Sequence, residues 1–312
     1  MISGIVIKTT GSWHTIMTDS GLEIPCTIKG KFRLKGIRLT NPVAVGDLVD
    51  VQWDEDQDFG VIKTIHPRRN YIIRKSINLA REAHILAANI DQAILVVSLR
   101  NPTTQSMFID RFMVTAEAYK IPAVLVFNKL DIYTDKDFET MASWTEDYTA
   151  AGYPCHHISL EKTVGLESLV SIMSDKINLL SGNSGVGKSS FINYLIPGAG
   201  LKTGEISEMH KSGKHTTTYP EMLTLPDGGF VIDTPGIKGF GTIEIEKEEL
   251  YHFFPEIFKV SDQCKYHNCT HSHEPDCAVI KAVKEGELSY MRYYNYLTMY
   301  SDDDEKYRKT PW

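Results

Sequence analysis

The strongest constraint on the fold lies past the middle of the chain, in Gly182-Asn183-Ser184-Gly185-Val186-Gly187-Lys188-Ser189. The spacing is G-x-x-x-x-G-K-S. Glycines at these places let backbone N–H groups turn inward around phosphate oxygens. The lysine reaches the outer phosphates, and the serine hydroxyl can join a Mg²⁺ shell. Such a loop works only between a buried strand and a helix whose positive dipole end faces the phosphates. The flanks meet that condition. Lys176-Ile177-Asn178-Leu179-Leu180 is a short apolar run, and Ser190-Phe191-Ile192-Asn193-Tyr194-Leu195-Ile196 has helical spacing and stops at Pro197-Gly198. The sequence therefore predicts a strand, a phosphate loop from Gly182 through Ser190, and a helix.

A second motif says which nucleotide. The apolar run Ile121–Phe127 ends in Asn128-Lys129-Leu130-Asp131. An aspartate here can accept from the ring N–H and the exocyclic amine of guanine, a bidentate pairing that adenine cannot offer. The lysine stem covers the base, and the asparagine ties this loop to the phosphate loop. Ser159-Leu160 is the candidate for the remaining base-contacting loop. Further on, Gly229-Phe230-Val231-Ile232 leads into Asp233-Thr234-Pro235-Gly236, a D-x-x-G pattern. There Asp233 would support Mg²⁺ through water and the Gly236 N–H would bind the γ-phosphate. The polar stretch Gly213-Lys214-His215-Thr216-Thr217-Thr218 supplies a Mg²⁺-ligating threonine, assigned to Thr217 with its neighbours left open.

One catalytic group is missing. Ras-like enzymes place a glutamine directly after D-x-x-G to orient the attacking water. This chain has Ile237, whose side chain cannot hydrogen-bond. Intrinsic hydrolysis is expected to be slow unless another group or a partner completes the site, and His215 is the local candidate for that catalytic role.

The order of the motifs is also unusual. The guanine motif precedes the phosphate loop, whereas in a Ras-like chain it follows D-x-x-G. From about residue 90 the sequence alternates strand and helix signals: Ile90–Val97, Phe108–Lys120, Ile121–Phe127, Asp137–Ala151 and Cys155–Ser159. That rhythm predicts a parallel sheet with helices on both faces. The sheet still assembles if the old termini are joined and new ones are cut after D-x-x-G, which is a circular permutation.

At 312 residues the chain exceeds what one core usually serves. Residues 1 to about 70 read as all-β, with alternation in Gly4–Thr9 and Trp13–Met17 and turn residues at Asp19-Ser20-Gly21. About five short strands suit a small barrel, with the OB-fold the leading candidate. Within it, Lys29–Arg38 holds five basic residues, no acidic ones and Phe32. This segment reads equally as an RNA-facing loop or as a solvated hairpin. A second basic cluster, Arg68, Arg69, Arg74, Lys75 and Arg81, marks the way out of the barrel. The net charge of −7 argues against a wholly basic nucleic-acid binder but leaves local patches open.

The N-terminus shows no signal-peptide pattern, and no apolar run reaches the ~20 residues of a membrane span. The chain therefore reads as soluble and intracellular, where cysteines serve as thiols or metal ligands rather than disulfides. Three of the five cysteines fall in the fourteen residues Cys264–Cys277, among three histidines. The spacing C-x₄-C-x-H-x₅-C suggests a tetrahedral Zn²⁺ site from Cys264, Cys269, His271 and Cys277, with His267 or His273 open as the fourth ligand. Short helices are expected at Glu246–Phe254 and Cys277–Lys284, and the tyrosines of Tyr290–Tyr296 are expected to pack the last helix onto this module.

In this arrangement the motifs resemble the ribosome small-subunit-dependent GTPase A family, the circularly permuted GTPases of bacterial ribosome assembly. The resemblance rests on the barrel, Asn89-Ile90-Asp91-Gln92, Asn128–Asp131, Gly182–Ser190, His215–Thr218, Asp233–Gly236 and the C-terminal cysteines. It implies an OB-fold barrel (1–72), a circularly permuted P-loop GTPase domain (73–242) and a small, mostly helical zinc-binding domain (243–312). It further implies GTP and GDP as ligands, Mg²⁺ with GTP, and Zn²⁺ with His271 as the fourth ligand. Hydrolysis would be stimulated by the small (30S) ribosomal subunit late in its maturation, with contacts to its 16S rRNA, by a cytoplasmic monomer. The competing readings are an RNA-binding scaffold that only holds nucleotide, favoured by Ile237, and a permuted GTPase of the large subunit.

Overall fold

The computed structural model describes residues 1–28, 38–39, 42–54, 56–75, 82–201, 221–233 and 245–301. The first strands are β1 (Ile2–Thr10), β2 (Trp13–Thr18), β3 (Glu23–Ile28), the two-residue β4 (Arg38–Leu39), β5 (Leu48–Gln52) and β6 (Gly60–Ile65). Five of them close into a barrel in the order β1-β2-β3-β6-β5. With β4 left out this is 1-2-3-5-4, the Greek-key order expected of an OB-type barrel. Alternation supplies the core: Val6, Ile16, Ile24, Cys26, Val49, Val51 and Ile62 point inward. The basic segment from Lys29 through Ile37 lies outside the described residues.

Past the barrel, β7 (Tyr71–Lys75) and β8 (Glu82–Ala88) form an antiparallel hairpin, with β4 beside β8. This small sheet is not expected from the sequence pattern. Arg68 and Arg69, read from the sequence as part of a basic cluster, have structural partners. Arg68 donates to the buried Asp47 carboxylate at 2.6 Å, and Arg69 donates to Asp91 at 2.7 Å. Asn89, in the left-handed region at φ 55°, donates to Gly46 O at 2.9 Å and accepts from Arg69 N at 2.9 Å. Barrel and sheet are thus joined by a local hydrogen-bonded seam rather than by a plain linker.

The central layer comprises β9 (Gln92–Val97), α1 (Ser106–Ala118), β10 (Ala123–Phe127), α2 (Asp135–Ala150), β11 (Cys155–His157), α3 (Leu166–Met173), β12 (Ile177–Ser181), α4 (Lys188–Leu195), β13 (Met222–Thr224) and β14 (Phe230–Asp233). They form one six-stranded sheet, β11-β10-β9-β12-β14-β13, parallel except for β13 at the edge. β9 and β10 are buried along their whole length because both faces are covered. Ala93, Leu95, Val97, Leu125 and Phe127 meet Ile109, Phe112 and Met113 of α1 and Tyr148 of α2 on one face. Ile94, Val96, Val124 and Val126 meet Leu169 and Met173 of α3 and Phe191 and Ile192 of α4 on the other. Counted from β12 as first strand, the spatial order from the β13 edge is 2-3-1-4-5-6. A single P-loop sheet has been entered at its fourth strand.

The C-terminal module consists of a 3₁₀ segment (Lys247–Phe253), α5 (Pro255–Ser261), α6 (Ala278–Lys284) and α7 (Tyr290–Ser301). The helix expected at Glu246–Phe254 is thus a 3₁₀ helix; Pro255, with no N–H to donate, restarts the chain as α5 at its preferred first position. Leu250, Phe254, Ile257, Val279, Tyr293 and Tyr296 form the module's core, and Val114 of α1 belongs to the same cluster. At this junction the Arg292 side chain, 1 % exposed, donates to Asp110 of α1 and to Glu256 of α5. Asn295 donates to the second Asp110 oxygen at 2.6 Å. Among the described residues, no helix is long and apolar enough to cross a membrane.

Candidate nucleotide site and metal centre

The parallel strands bring the two motifs to one edge. β9 and β10 end level, with Val97 paired to Phe127, and β12 ends beside them at Ser181, which pairs with Leu95. The loops that leave these ends line the crevice where open α/β sheets bind ligands. The phosphate loop leaves β12 and delivers Lys188 as the first residue of α4. Its glycines are required by geometry. Gly182 has φ 144°, and a Cβ there would sit 2.2 Å from Val96 O; Gly187 has φ 105°, and a Cβ there would sit 2.5 Å from Asn128 Nδ2. Lys188 Nζ donates to Gly182 O at 2.6 Å and to Asn183 O at 2.8 Å, so the ammonium is already held over the cradle. Ser189 and Ser190 follow in the first turn of α4, half-buried.

Asn128 Nδ2 donates to Val186 O at 2.8 Å, tying the loop after β10 to the phosphate loop. Lys129 has φ 70°, which turns its side chain across the site, and Nζ donates to Asn101 O. Leu130 and Asp131 lie in the 3₁₀ turn Leu130–Ile132, and Ser159 Oγ donates to an Asp131 oxygen. Ser159 is therefore at the Asp131 carboxylate, with Leu160 N donating toward Asn128 Oδ1 at 3.4 Å. Asp233 closes β14, one strand from β12, with its backbone paired to Leu180. His215, Thr217, Gly236 and Ile237 lie outside the described residues.

The loop between β9 and α1, which no sequence motif marks, lies against both motifs through Asn101 and Pro102. The signal that could have found it is its place after a buried parallel strand, because every such loop faces the ligand crevice.

In the C-terminal module, Cys264, Cys269, His271 and Cys277 each direct one ligand atom into a group spanning no more than 4.8 Å. His271 Nδ1 lies 3.5 Å from Cys264 Sγ and 3.6 Å from Cys277 Sγ, and those two sulfurs are 3.9 Å apart. A tetrahedron with bonds of about 2.3 Å has edges of about 3.8 Å, so the donor set fits Zn²⁺. Burial pushes the Cys269 thiol up to about 12, a penalty a bound cation would reverse. His267 and His273 do not belong to the group, and His273 Nδ1 instead meets Ser272 Oγ at 2.8 Å. The loop holding His271 is organised by Glu274, whose carboxylate accepts from Thr270 N at 2.6 Å and from Ser272 N at 3.1 Å. Although its partial burial opposes ionisation, these bonds hold Glu274 well below the usual carboxylate range. Tyr293 and Tyr296 donate to His271 O and Thr270 O, both at 2.7 Å, so α7 is seated on the cluster as expected.

A phosphate-loop turn and an Asn-Lys-Leu-Asp tetrapeptide on one sheet entered at its fourth strand, between a barrel and a Cys₃His module, define a circularly permuted P-loop GTPase. Residues 65–243 match the family described as RsgA GTPase, and residues 3–62 match the RsgA N-terminal domain. The chain belongs to the RsgA GTPase family and is a GTP hydrolase. It is 52 % identical to small ribosomal subunit biogenesis GTPase RsgA 2 of Bacteroides thetaiotaomicron, over 98 % of this chain and 99 % of that protein. It is 49 % identical to small ribosomal subunit biogenesis GTPase RsgA of Flavobacterium psychrophilum, over 98 % and 95 %. Among solved structures it is similar to YjeQ from Thermotoga maritima, with TM-score 0.80, 35 % identity and coverage of 96 % and 97 %. It is also similar to YloQ, a circularly permuted GTPase, with TM-score 0.77, 32 % identity and coverage of 100 % and 97 %.

Proposed function

We propose that this chain hydrolyses GTP when engaged by the small (30S) ribosomal subunit, contacts its 16S rRNA, and acts late in the subunit's maturation. The observation that carries the guanine part is the Asn128–Val186 hydrogen bond, which fixes the base-reading loop against the phosphate loop. The ribosomal part is supported by the names of the relatives. GTP would lie with its guanine at Asp131 and Ser159 and its phosphates over Gly182–Ser190, where Lys188 would exchange carbonyl oxygens for phosphate oxygens. Ser189 and Thr217 would hold Mg²⁺ with support from Asp233, and the ion would neutralise charge at the phosphates. Gly236 would bind the γ-phosphate.

Ile237 leaves the attacking water without a side-chain partner, and we assign its positioning to His215. The dependence on a docked subunit follows: a site that is incomplete alone fires when its partner completes it. Zn²⁺ in the Cys₃His cluster would hold the C-terminal module together, and Asp233–Gly236 leads almost directly into that module. Loss of the γ-phosphate would then alter how the module sits on its partner. We divide the chain at residues 72 and 242, with hairpin β7–β8 at the first border, and place the protein in the cytoplasm as a monomer.

The deciding experiment is GTP turnover with and without purified 30S subunits. Subunit-stimulated turnover is expected, and the same assay on His215→Ala should show retained GTP affinity with the stimulation lost. Absence of stimulation in the parent chain would refute the ribosomal reading, and full stimulation of His215→Ala would refute the histidine's role.

A further inference from the structure

The loop Ser98–Gln105 carries no known motif, yet it is wedged between the two halves of the nucleotide site. It is pinned on itself: Thr104 N donates to Ser98 O at 2.8 Å, Ser98 N to Thr104 Oγ1 at 3.3 Å, and Arg100 N to Ser98 Oγ at 3.2 Å. Ser98 and Thr104 are both buried. On one side a Cβ added to Gly185 would lie 3.6 Å from Pro102 Cδ, so the loop touches the phosphate cradle. On the other side it reaches the guanine-reading segment at several points. Leu99 N donates to Tyr133 OH at 2.9 Å, Arg100 donates to the Asp137 carboxylate and to Thr134 Oγ1 at 3.1 Å, and Asn101 O receives Lys129 Nζ.

These contacts matter because of where Asp131 sits. It lies in a three-residue 3₁₀ turn with an anchor at each end. The near anchor is Asn128, held to Val186 O. The far anchor is Tyr133–Thr134, where Thr134 N and Oγ1 both donate to Asp137 Oδ2, at 2.8 and 2.6 Å. Arg100 closes on this same Asp137–Thr134 pair from the β9 loop. We propose that Arg100 is a positioning residue for guanine recognition: it holds the exit of the turn that carries Asp131 at a set distance from the phosphate loop. The proposal rests on the guanine-site reading above.

A partly exposed ion pair by itself contributes little to stability, and Arg100 is 45 % exposed. Its effect here is geometric. A bidentate carboxylate–guanine pairing demands alignment of both oxygens, and a small displacement of the turn weakens both bonds together. Adenine has no such pairing, so an adenine nucleotide samples the phosphate loop without sampling the alignment of Asp131.

The test uses the full chain and measures equilibrium affinity for GDP directly and for ADP by competition. Arg100→Ala is expected to weaken GDP about three- to tenfold, the size expected for loss of one partly exposed charge-assisted hydrogen bond. ADP affinity and the unfolding temperature should not move. Arg100→Lys, which keeps the charge and one donor, should recover part of the loss. Unchanged GDP affinity, or a parallel fall for GDP and ADP, would overturn the proposal while leaving the guanine site standing. A parent chain with no preference for GDP over ADP would overturn the guanine-site reading, and this proposal with it.

Discussion

The junction between α1 and α7 offers the sharpest test of how the C-terminal module is held. Arg292 is enclosed by Asp110, Glu256 and the rings of Tyr148, Tyr153 and Phe254, whose centroids lie 5.1, 5.4 and 5.2 Å from the guanidinium carbon. Arg292→Met keeps most of the volume and removes the charge. It leaves Asp110, with a fully buried side chain, facing Glu256 with no cation between them. Removing one partner of a buried ion pair costs about 3–5 kcal/mol. Amide exchange along α7 reads this opening locally, and at neutral pH it should accelerate by about two to four orders of magnitude. The loss should be smaller at low pH. Burial, against the pull of Arg292, already pushes the Asp110 carboxyl up to about 6, above its ordinary value of 3.8. A carboxyl with a raised folded pKa favours the folded state fully below about 4, and that contribution is lost as pH rises through about 6. Without Arg292 the carboxyl rises further, so α7 protection in Arg292→Met should recover as pH falls from 7 toward 5. Protection close to that of the parent chain, or a loss independent of pH, would refute the reasoning.

Further outcomes are expected. Gly182→Ala places a Cβ against Val96 O at a positive φ, so it should abolish nucleotide binding through a backbone shift of the cradle, checked by GDP titration. Cys269→Ser should lower bound zinc from about one equivalent to a small fraction, and chelation should speed exchange in α6 and α7, because a structural zinc contributes directly to folding. His14 is buried in the barrel, neither ring nitrogen has a hydrogen-bond partner, and burial lowers its pKa. An imidazole held neutral in the fold stabilises fully above about pH 6.5, and that contribution declines as pH falls below it. His14→Phe should flatten the acid limb of barrel stability, measured as urea midpoint against pH between 7 and 5. An unchanged limb would show that His14 is protonated in place.

Much of the site could be read from residue types alone, for a physical reason. The phosphate cradle needs backbone at positive φ, which selects glycine at Gly182 and Gly187, and base discrimination needs a carboxylate, which selects Asp131. The order of these motifs along the chain was enough to predict a permuted sheet, because parallel strands deliver their loops to one edge whatever the point of entry. The zinc donors fall within one short segment, so their chemistry showed as composition; the choice among three histidines did not. His271 was assigned by resemblance, and the fold turns it inward while His273 faces Ser272.

Other features arise only when distant segments meet. Hairpin β7–β8 depends on backbone pairing that every residue can supply, and the partners of the Asn89 amide, Gly46 O and Arg69 N, meet it only in the folded chain. Arg292 and Asp110 look like ordinary surface charges in sequence; they are tolerable in the interior only because α1 and α5 bring Asp110 and Glu256 to the guanidinium, Asn295 of α7 donates to Asp110, and the rings of Tyr148, Tyr153 and Phe254 enclose the group. Arg100 becomes part of the guanine site in the same way. The order of motifs and the cluster of metal donors were legible in the chain, since both depend on side-chain type and local backbone freedom. Tertiary structure decided which neutral-looking loops and buried charges hold that chemistry in place, since burial and alignment are properties of the assembled neighbours.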